Sequence, residues 1–265
     1  MSTTDSHAIE PDEPVPIAAP FEWRVVGEIM TRPQPVTVPM VALFALIPFY
    51  LVIGNAVGGG PVHVPELWLD RAIPLVPAWS LVYGSLFLAA ILPAFVVHRE
   101  QHLHRTILAF LMAWLVAFAC FLAYPTLSPR PPMRTLGDGF FEWTLRVIYS
   151  TDARYNCLPS LHVAQCFLAA FTVHRVHRGV GAAAFVWALL VAVSTLFTKQ
   201  HYVLDVVTGA MLAYLAYFVF IRSYPREAIP ERERRYAPVL ALGAVGVYGV
   251  ILLMFGALYL AGVQP

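Results

Sequence analysis

Charge is what this 265-residue chain lacks. Asp, Glu, Lys and Arg make up 12% of it, about half the share of an ordinary soluble domain, whereas 59% is hydrophobic and the mean hydropathy is +0.68. A soluble globule of this size needs a more polar surface, and intrinsic disorder needs low hydrophobicity with high net charge. Neither class fits. Excess charge of one sign is missing too: 17 basic against 16 acidic residues leave a net +1, which gives no bulk attraction to nucleic acid. Cysteine is scarce. Cys120, Cys157 and Cys166 form neither a metal-ligand spacing nor a disulfide framework and read as small buried residues. Residues 1–20 lack the basic start and apolar run of a secretory signal and read as a disordered, acidic, Pro-rich tail. Strand-type alternation and internal repeats are absent, which excludes a membrane β-barrel.

What is present is a set of long uncharged runs. No Asp, Glu, Lys or Arg falls in 34–65, 72–98, 106–129, 155–174, 179–198, 206–221 or 236–265. A membrane-crossing helix needs about 20 mainly apolar residues. Seven spans fit, near 37–55, 78–97, 107–124, 161–175, 180–197, 203–221 and 238–261, the fourth short and carrying His162 and Gln165. The expected fold is an all-α polytopic membrane bundle. It comprises a tail at 1–35, a six-span core over 36–221, a basic loop at 222–237 and an additional C-terminal span over 238–265. Residues 58–77, broken by glycines and prolines, read as an interfacial loop. Within 136–150, Phe140, Trp143 and Val147 recur at helical spacing, with Glu142, Arg146 and Tyr149 on another face. They predict a short helix lying over the outer ends of the spans.

The basic residues set the orientation. With the N-terminus inside, 11 of the 17 lie on the cytoplasmic segments. The positive-inside rule therefore predicts a cytoplasmic N-terminus. Of the six on the other side, Arg130, Arg134, Arg146 and Arg154 crowd into 125–160.

Three segments on that outer side carry chemistry. Arg130 stands between Pro129 and Pro131, which hold it on stiff extended chain. Its guanidinium suits phosphate oxygens. Pro159-Ser160-Leu161-His162 opens the fourth span, and the free N–H groups of a helix start form an anion site. His201 and Asp205, four apart, are expected on one helix face, with the carboxylate fixing the imidazole tautomer. Two His, one Asp, Arg130 and Lys199 converging on one side suit phosphoryl transfer. His201 would attack phosphorus, Asp205 would stabilise the imidazolium, and His162 would protonate the departing oxygen. Arg130, Lys199 and the helix-start amides would hold the equatorial oxygens.

These residues resemble the motifs of the type 2 phosphatidic acid phosphatase superfamily, lipid phosphatases and phosphotransferases related to vanadium haloperoxidases. Arg130-Pro131 matches the end of Lys-x6-Arg-Pro. Pro159-Ser160-Leu161-His162 matches Pro-Ser-Gly-His with Leu for Gly. Ser194, His201 and Asp205 match Ser-Arg-x5-His-x3-Asp. The resemblance covers about 78–221. It implies His201 as nucleophile, His162 as general acid, Asp205 as orienter, and Arg130 and Ser160 as phosphate binders, with Lys199 added from the residues themselves. It implies no metal or cofactor, a lipid phosphate as substrate with a lipid alcohol as the optional acceptor, and a plasma-membrane protein with an extracytoplasmic site. Two motif cations are missing, at Ala123 and Thr195, with Lys199 and Arg134 as candidate replacements. The detail Cys157-Leu-Pro-Ser-Leu-His162 with His201-Tyr202-x-x-Asp205-Val206 is similar to the inositol phosphorylceramide and sphingomyelin synthase branch. Two other readings compete: a metal site on His162, His201 and Asp205, and a transporter or scaffold that keeps the fold without catalysis.

Overall fold

The computed structural model describes residues 22–23, 41 and 45–265. The tail expected to be disordered, and most of the first expected span ahead of residue 45, lie outside the described residues. Among the described residues the chain is helical throughout, with isolated bridges His63–Thr126 and Thr126–Asn156 in place of a sheet.

The elements are α1 (Ile47–Val57), α2 (Trp68–Ala72), α3 (Trp79–Gly84), which a 3₁₀ turn joins to α4 (Leu88–Val96), and α5 (Glu100–Ala123). There follow α6 (Phe140–Thr151), α7 (Leu161–Val176), α8 (Arg178–Phe197), α9 (Val203–Ala216), which runs on through a π turn to Ile221, and α10 (Glu231–Leu260). Five helical stretches are long and apolar enough to cross a membrane: 79–96, 100–123, 178–197, 203–221 and 231–260. Helix α1 is a shorter apolar helix of 11 residues.

Helix α7, with 16 residues, spans about 24 Å at 1.5 Å per residue, less than the roughly 30 Å hydrocarbon layer. It tolerates this because it is the hub, packed against α4, α5, α8 and α9. Most of its residues are buried, and Ala164, Ala169 and Ala170 let neighbouring helices approach closely. The outer helices turn apolar side chains outward: Val186 and Leu189 on α8, Met211 and Tyr214 on α9, Leu242, Val250 and Leu253 on α10. Such a surface is at home in lipid, not in water.

Helix α6 confirms the short helix expected near 136–150, with one correction. Tyr149, expected on another face with Glu142 and Arg146, is buried: its hydroxyl donates to the Thr198 carbonyl at 2.6 Å. The opposite face carries Trp143, whose Nε1–H donates to Val263 O at 2.7 Å and whose ring packs on Phe255 and Tyr259. The C-terminal span is thus tied to α6. Segment 58–77 holds one turn of helix, α2, and is pinned across the bundle: Val76 N donates to Phe197 O at 2.9 Å.

Candidate active site

The site is assembled where the starts of α7 and α9 cross. Ser160 is the N-cap of α7, and its Oγ accepts from Val163 N at 3.3 Å. Its own N–H donates to Asp205 O at 3.0 Å. The crossing is backbone against backbone, because a Cβ on Gly209 would lie 2.4 Å from Ser160 O. Only glycine lets α9 come that close.

That contact brings the expected residues together. His162 Nδ1 lies 3.1 Å from His201 Nε2, and His201 Nδ1 lies 3.3 Å from Asp205 Oδ2. His201 is not helical, contrary to the shared-face expectation. Helix α9 begins at Val203, and the Asp205 carboxylate reaches back to accept from Tyr202 N at 2.9 Å. One carboxylate oxygen thus closes the helix start and orients the imidazole. Held at Nδ1, His201 presents Nε2 towards His162. A phosphoryl group bound there would enter between the two rings.

Arg130 is buried, and Nη2 donates to Asp152 Oδ2 at 2.8 Å. Nη1 donates to Asp152 O at 2.9 Å, and the guanidinium stacks over the Tyr149 ring at 5.1 Å. Asp152 was not foreseen. Its carboxylate also accepts from Tyr50 Oη at 2.8 Å and Tyr83 Oη at 3.2 Å, and it lies 4.0 Å from His162 Nε2. Burial pushes its pKa up, but His162, Arg130 and the Tyr50 hydrogen bond outweigh that and hold it below the ordinary carboxylate value. An acid between Arg146 and Arg154 was the available sequence signal. The tyrosines, inside apolar helices, gave none.

The remaining expected binders are placed differently. Ser160 spends its oxygen on the helix cap. The Lys199 ammonium donates to the carbonyls of Asp70 at 3.0 Å and Ile73 at 2.5 Å, so it ties down segment 58–77. Burial lowers its pKa, against the raising effect of Asp70 and Glu66. Arg134 is exposed on a 3₁₀ turn. Thr195, at a lost cation position, accepts from Gln200 N at 2.9 Å and His201 N at 3.2 Å through its carbonyl. Buried polar atoms remain open among the described residues: Arg130 Nε, Gln200 Nε2, Ser128 Oγ and Asp205 Oδ1. Of these, Arg130 Nε and Gln200 Nε2 are donors, and an unmet buried donor costs about 1–3 kcal/mol.

Two cavities meet at the imidazole pair. One, of about 480 Å³, is apolar, with His162 and Asp152 at its polar end and Tyr248, Ile251 and Phe255 of α10 in its wall. The other, of about 150 Å³, is polar and lined by His201, Lys199, Tyr202, Glu66, Asp70 and Arg71. Sequence reasoning also missed Cys157: its Sγ and ligand atoms of His201 and Asp205 all lie within 4.8 Å of one another.

A helical membrane bundle with a His–His–Asp array between a greasy cavity and a polar one defines a class of integral membrane protein with its polar centre near a helix-start crossing. The chain belongs to the PAP2 superfamily, whose sequence model matches residues 51–219. It is similar to a PA-phosphatase related-family protein of Dictyostelium discoideum, 24% identical over 116 residues, which cover 40% of this chain and 21% of that protein. The match thus spans about a fifth of the length of that relative. No solved structure matches.

Proposed function

We propose that this protein cleaves lipid phosphoesters through a phosphohistidine on His201 and passes the phosphoryl or phospho-head group to water or to a lipid alcohol. The observation that carries this reading is the continuous array Asp205–His201–His162 opening on the 480 Å³ apolar cavity. In the first step His201 Nε2 bonds to phosphorus while the bond from phosphorus to the lipid oxygen breaks. His162 gives its proton to that oxygen, and Asp205 balances the charge on the imidazole. In the second step an acceptor oxygen attacks phosphorus, its proton goes to His162, and the P–N bond breaks to restore His201. Arg130 and the amides at the start of α7 hold the non-bridging oxygens. The apolar cavity supports the transfer branch, because an acceptor alcohol with a hydrocarbon tail can lie in it with its hydroxyl at His162. The positive-inside bias supports a site on the extracytoplasmic side of the plasma membrane.

The test uses the purified full chain with a labelled lipid phosphate and an alkaline quench, which preserves phosphohistidine. Label is expected on the wild type and absent from His201→Ala. His162→Ala is expected to keep its first step on an aryl phosphate, whose leaving group needs little protonation. General acid help is worth about 10²–10⁴-fold, so the contrast with a natural lipid is measurable. A phosphoenzyme on His201→Ala would overturn the assignment, and a transporter or scaffold would form none in any variant. Chromatography of products with and without added diacylglycerol or ceramide separates hydrolysis from transfer.

A second reading rests on the gathering of Cys157, His201 and Asp205, a ligand-type set. Against it, burial, followed by the nearby Asp205 charge, pushes the Cys157 thiol pKa well up, away from the thiolate a metal needs. Loss of turnover in EDTA that only added metal restores would favour the metal reading.

A further inference from the structure

The opposite end of the bundle holds a second polar hollow. His162 and His174 are 12 residues apart on α7, which puts them about 18 Å apart along the axis. At the far end His174, Arg175, Arg178, Ser223, Arg226 and Glu227 surround a cavity of about 450 Å³. Three guanidinium groups thus face one hollow whose lining contains a single carboxylate. Arg175 is fixed in place, with Nη2 donating to Tyr224 O, and the ring of Tyr224 lies between His102, stacked at 4.8 Å, and the Arg105 guanidinium at 5.5 Å. Arg105 also donates to Ser223 Oγ at 3.0 Å.

Two of the three cations are not spent on ion pairs with the protein. Among the described residues neither Arg178 nor Arg226 forms an ion pair. Two buried nitrogens at the hollow, Arg175 Nε and His174 Nδ1, have no hydrogen-bond partner among the described residues. Burial, then Arg178, Arg234 and Arg175, push the Arg226 pKa down, so like charges already crowd one another there. Positive-inside topology accounts for arginines at this end. It does not account for their convergence on a hollow, where mutual repulsion and the open Arg175 Nε–H both favour an anion.

We infer that this hollow is a binding site for a phosphate-bearing anion, separate from the His162–His201 centre. Arginine is the side chain best matched to phosphate oxygens, through its planar fork of donors. Arg175 is the fixed arm, and exposed Arg178 and half-buried Arg226 are the arms that close on the ligand. A lipid headgroup in the adjacent leaflet and a free phosphate share this chemistry.

The experiment measures equilibrium binding of labelled pyrophosphate to the full chain in neutral detergent. The proteins compared are the wild type, His201→Ala, and the double variant Arg178→Gln/Arg226→Gln, which changes side chains that hold no backbone group. Size-exclusion elution confirms that each is folded. Saturable binding is expected in the wild type and in His201→Ala, weakened at least about tenfold in the arginine variant, as loss of charge-assisted contacts implies. Competition by phosphatidylglycerol but not phosphatidylcholine would assign a lipid headgroup; no competition by either would assign a free phosphate. Binding abolished by His201→Ala and unchanged in the arginine variant would overturn the site, and so would no saturable binding in the wild type.

Discussion

Arg130 and Asp152 form a buried ion pair, with Nη2 2.8 Å from Oδ2, and Asp152 lines the polar end of the apolar cavity. The cation expected to grip phosphate therefore already holds an anion, and an incoming phosphoryl group must share that guanidinium with a carboxylate. Asp152→Asn is expected to tighten inhibition by vanadate about tenfold, which corresponds to about 1.4 kcal/mol of relieved repulsion. Turnover is expected to fall, because His162 loses the charge 4.0 Å from its Nε2. Asp152→Ala should cost far more in stability, about 3–5 kcal/mol, because it leaves a buried guanidinium unpaired. The lowered pKa of Asp152 also sets a sign. Its stabilisation is complete above the unfolded carboxylate value of about 3.9 and is lost as pH falls through the lower folded value. Melting curves across this acidic range should therefore fall more steeply for the wild type than for Asp152→Asn. Equal vanadate affinity in both proteins would show that Asp152 does not compete for Arg130.

Gly209 gives a sharper structural test. Its absent Cβ would lie 2.4 Å from Ser160 O and 3.2 Å from Ser160 Cβ, at the crossing that aligns His162 with His201. Gly209→Ala is expected to lower stability by about 1–3 kcal/mol through overpacking. It should depress turnover by more than its effect on folding explains. Gly246→Ala on α10, where nothing lies within 4 Å, should leave both unchanged. Thermal melts and kcat on one lipid phosphate decide it, and a fully active Gly209→Ala would show that the close crossing is not needed.

Five of the seven expected spans and the His–His–Asp array were legible in the sequence because both follow local rules: uncharged runs of bilayer length, and polar residues at helix starts. Helix α6 was legible through its periodicity. What was not legible depends on contacts between segments distant in the chain. Tyr50 meets Asp152 across 102 residues and Lys199 meets Asp70 across 129. No spacing rule announces a tyrosine hydroxyl inside an apolar helix. Nor does one announce that the Pro- and Gly-broken segment 58–77 carries a carboxylate, Asp70 Oδ1, that accepts from Val203 N at the start of α9. His201 was placed on a helix face because i and i+4 suggest one. The Asp205 cap begins the helix two residues later than that face required.

Lys199 separates the two accounts. With its ammonium on the carbonyls of Asp70 and Ile73 and its backbone at φ 54°, it fastens the turn between α8 and α9 to segment 58–77. Left-handed backbone is costly for a side chain larger than glycine. Lys199→Met is expected to lower the melting temperature, by the loss of about 1–3 kcal/mol of charged hydrogen bonding, and to leave vanadate affinity within about twofold. A tenfold or greater loss of vanadate affinity would return Lys199 to the phosphate-binding role expected from the sequence.

The C-terminal span gains a role from the cavity it walls. Ile251, on α10, faces the 480 Å³ space whose far end is His162 and Asp152, whereas Leu253, two residues on, is 76% exposed on the outer side. If the hydrocarbon part of a substrate or acceptor lies in that space, filling it should penalise long chains and spare small substrates. Ile251→Trp is expected to lower kcat/KM for a long-chain lipid phosphate about tenfold, about what two buried methylenes contribute at roughly 0.8 kcal/mol each. Activity on a water-soluble aryl phosphate should stay within about twofold, because the imidazole pair and Arg130 are untouched. Leu253→Trp, on the lipid-facing side, should change neither. Equal losses on both substrates in Ile251→Trp would mean that the substitution disturbs the bundle. No loss on either would mean that the chain lies elsewhere, leaving the bond between Trp143 and Val263 O as what α10 contributes to the fold.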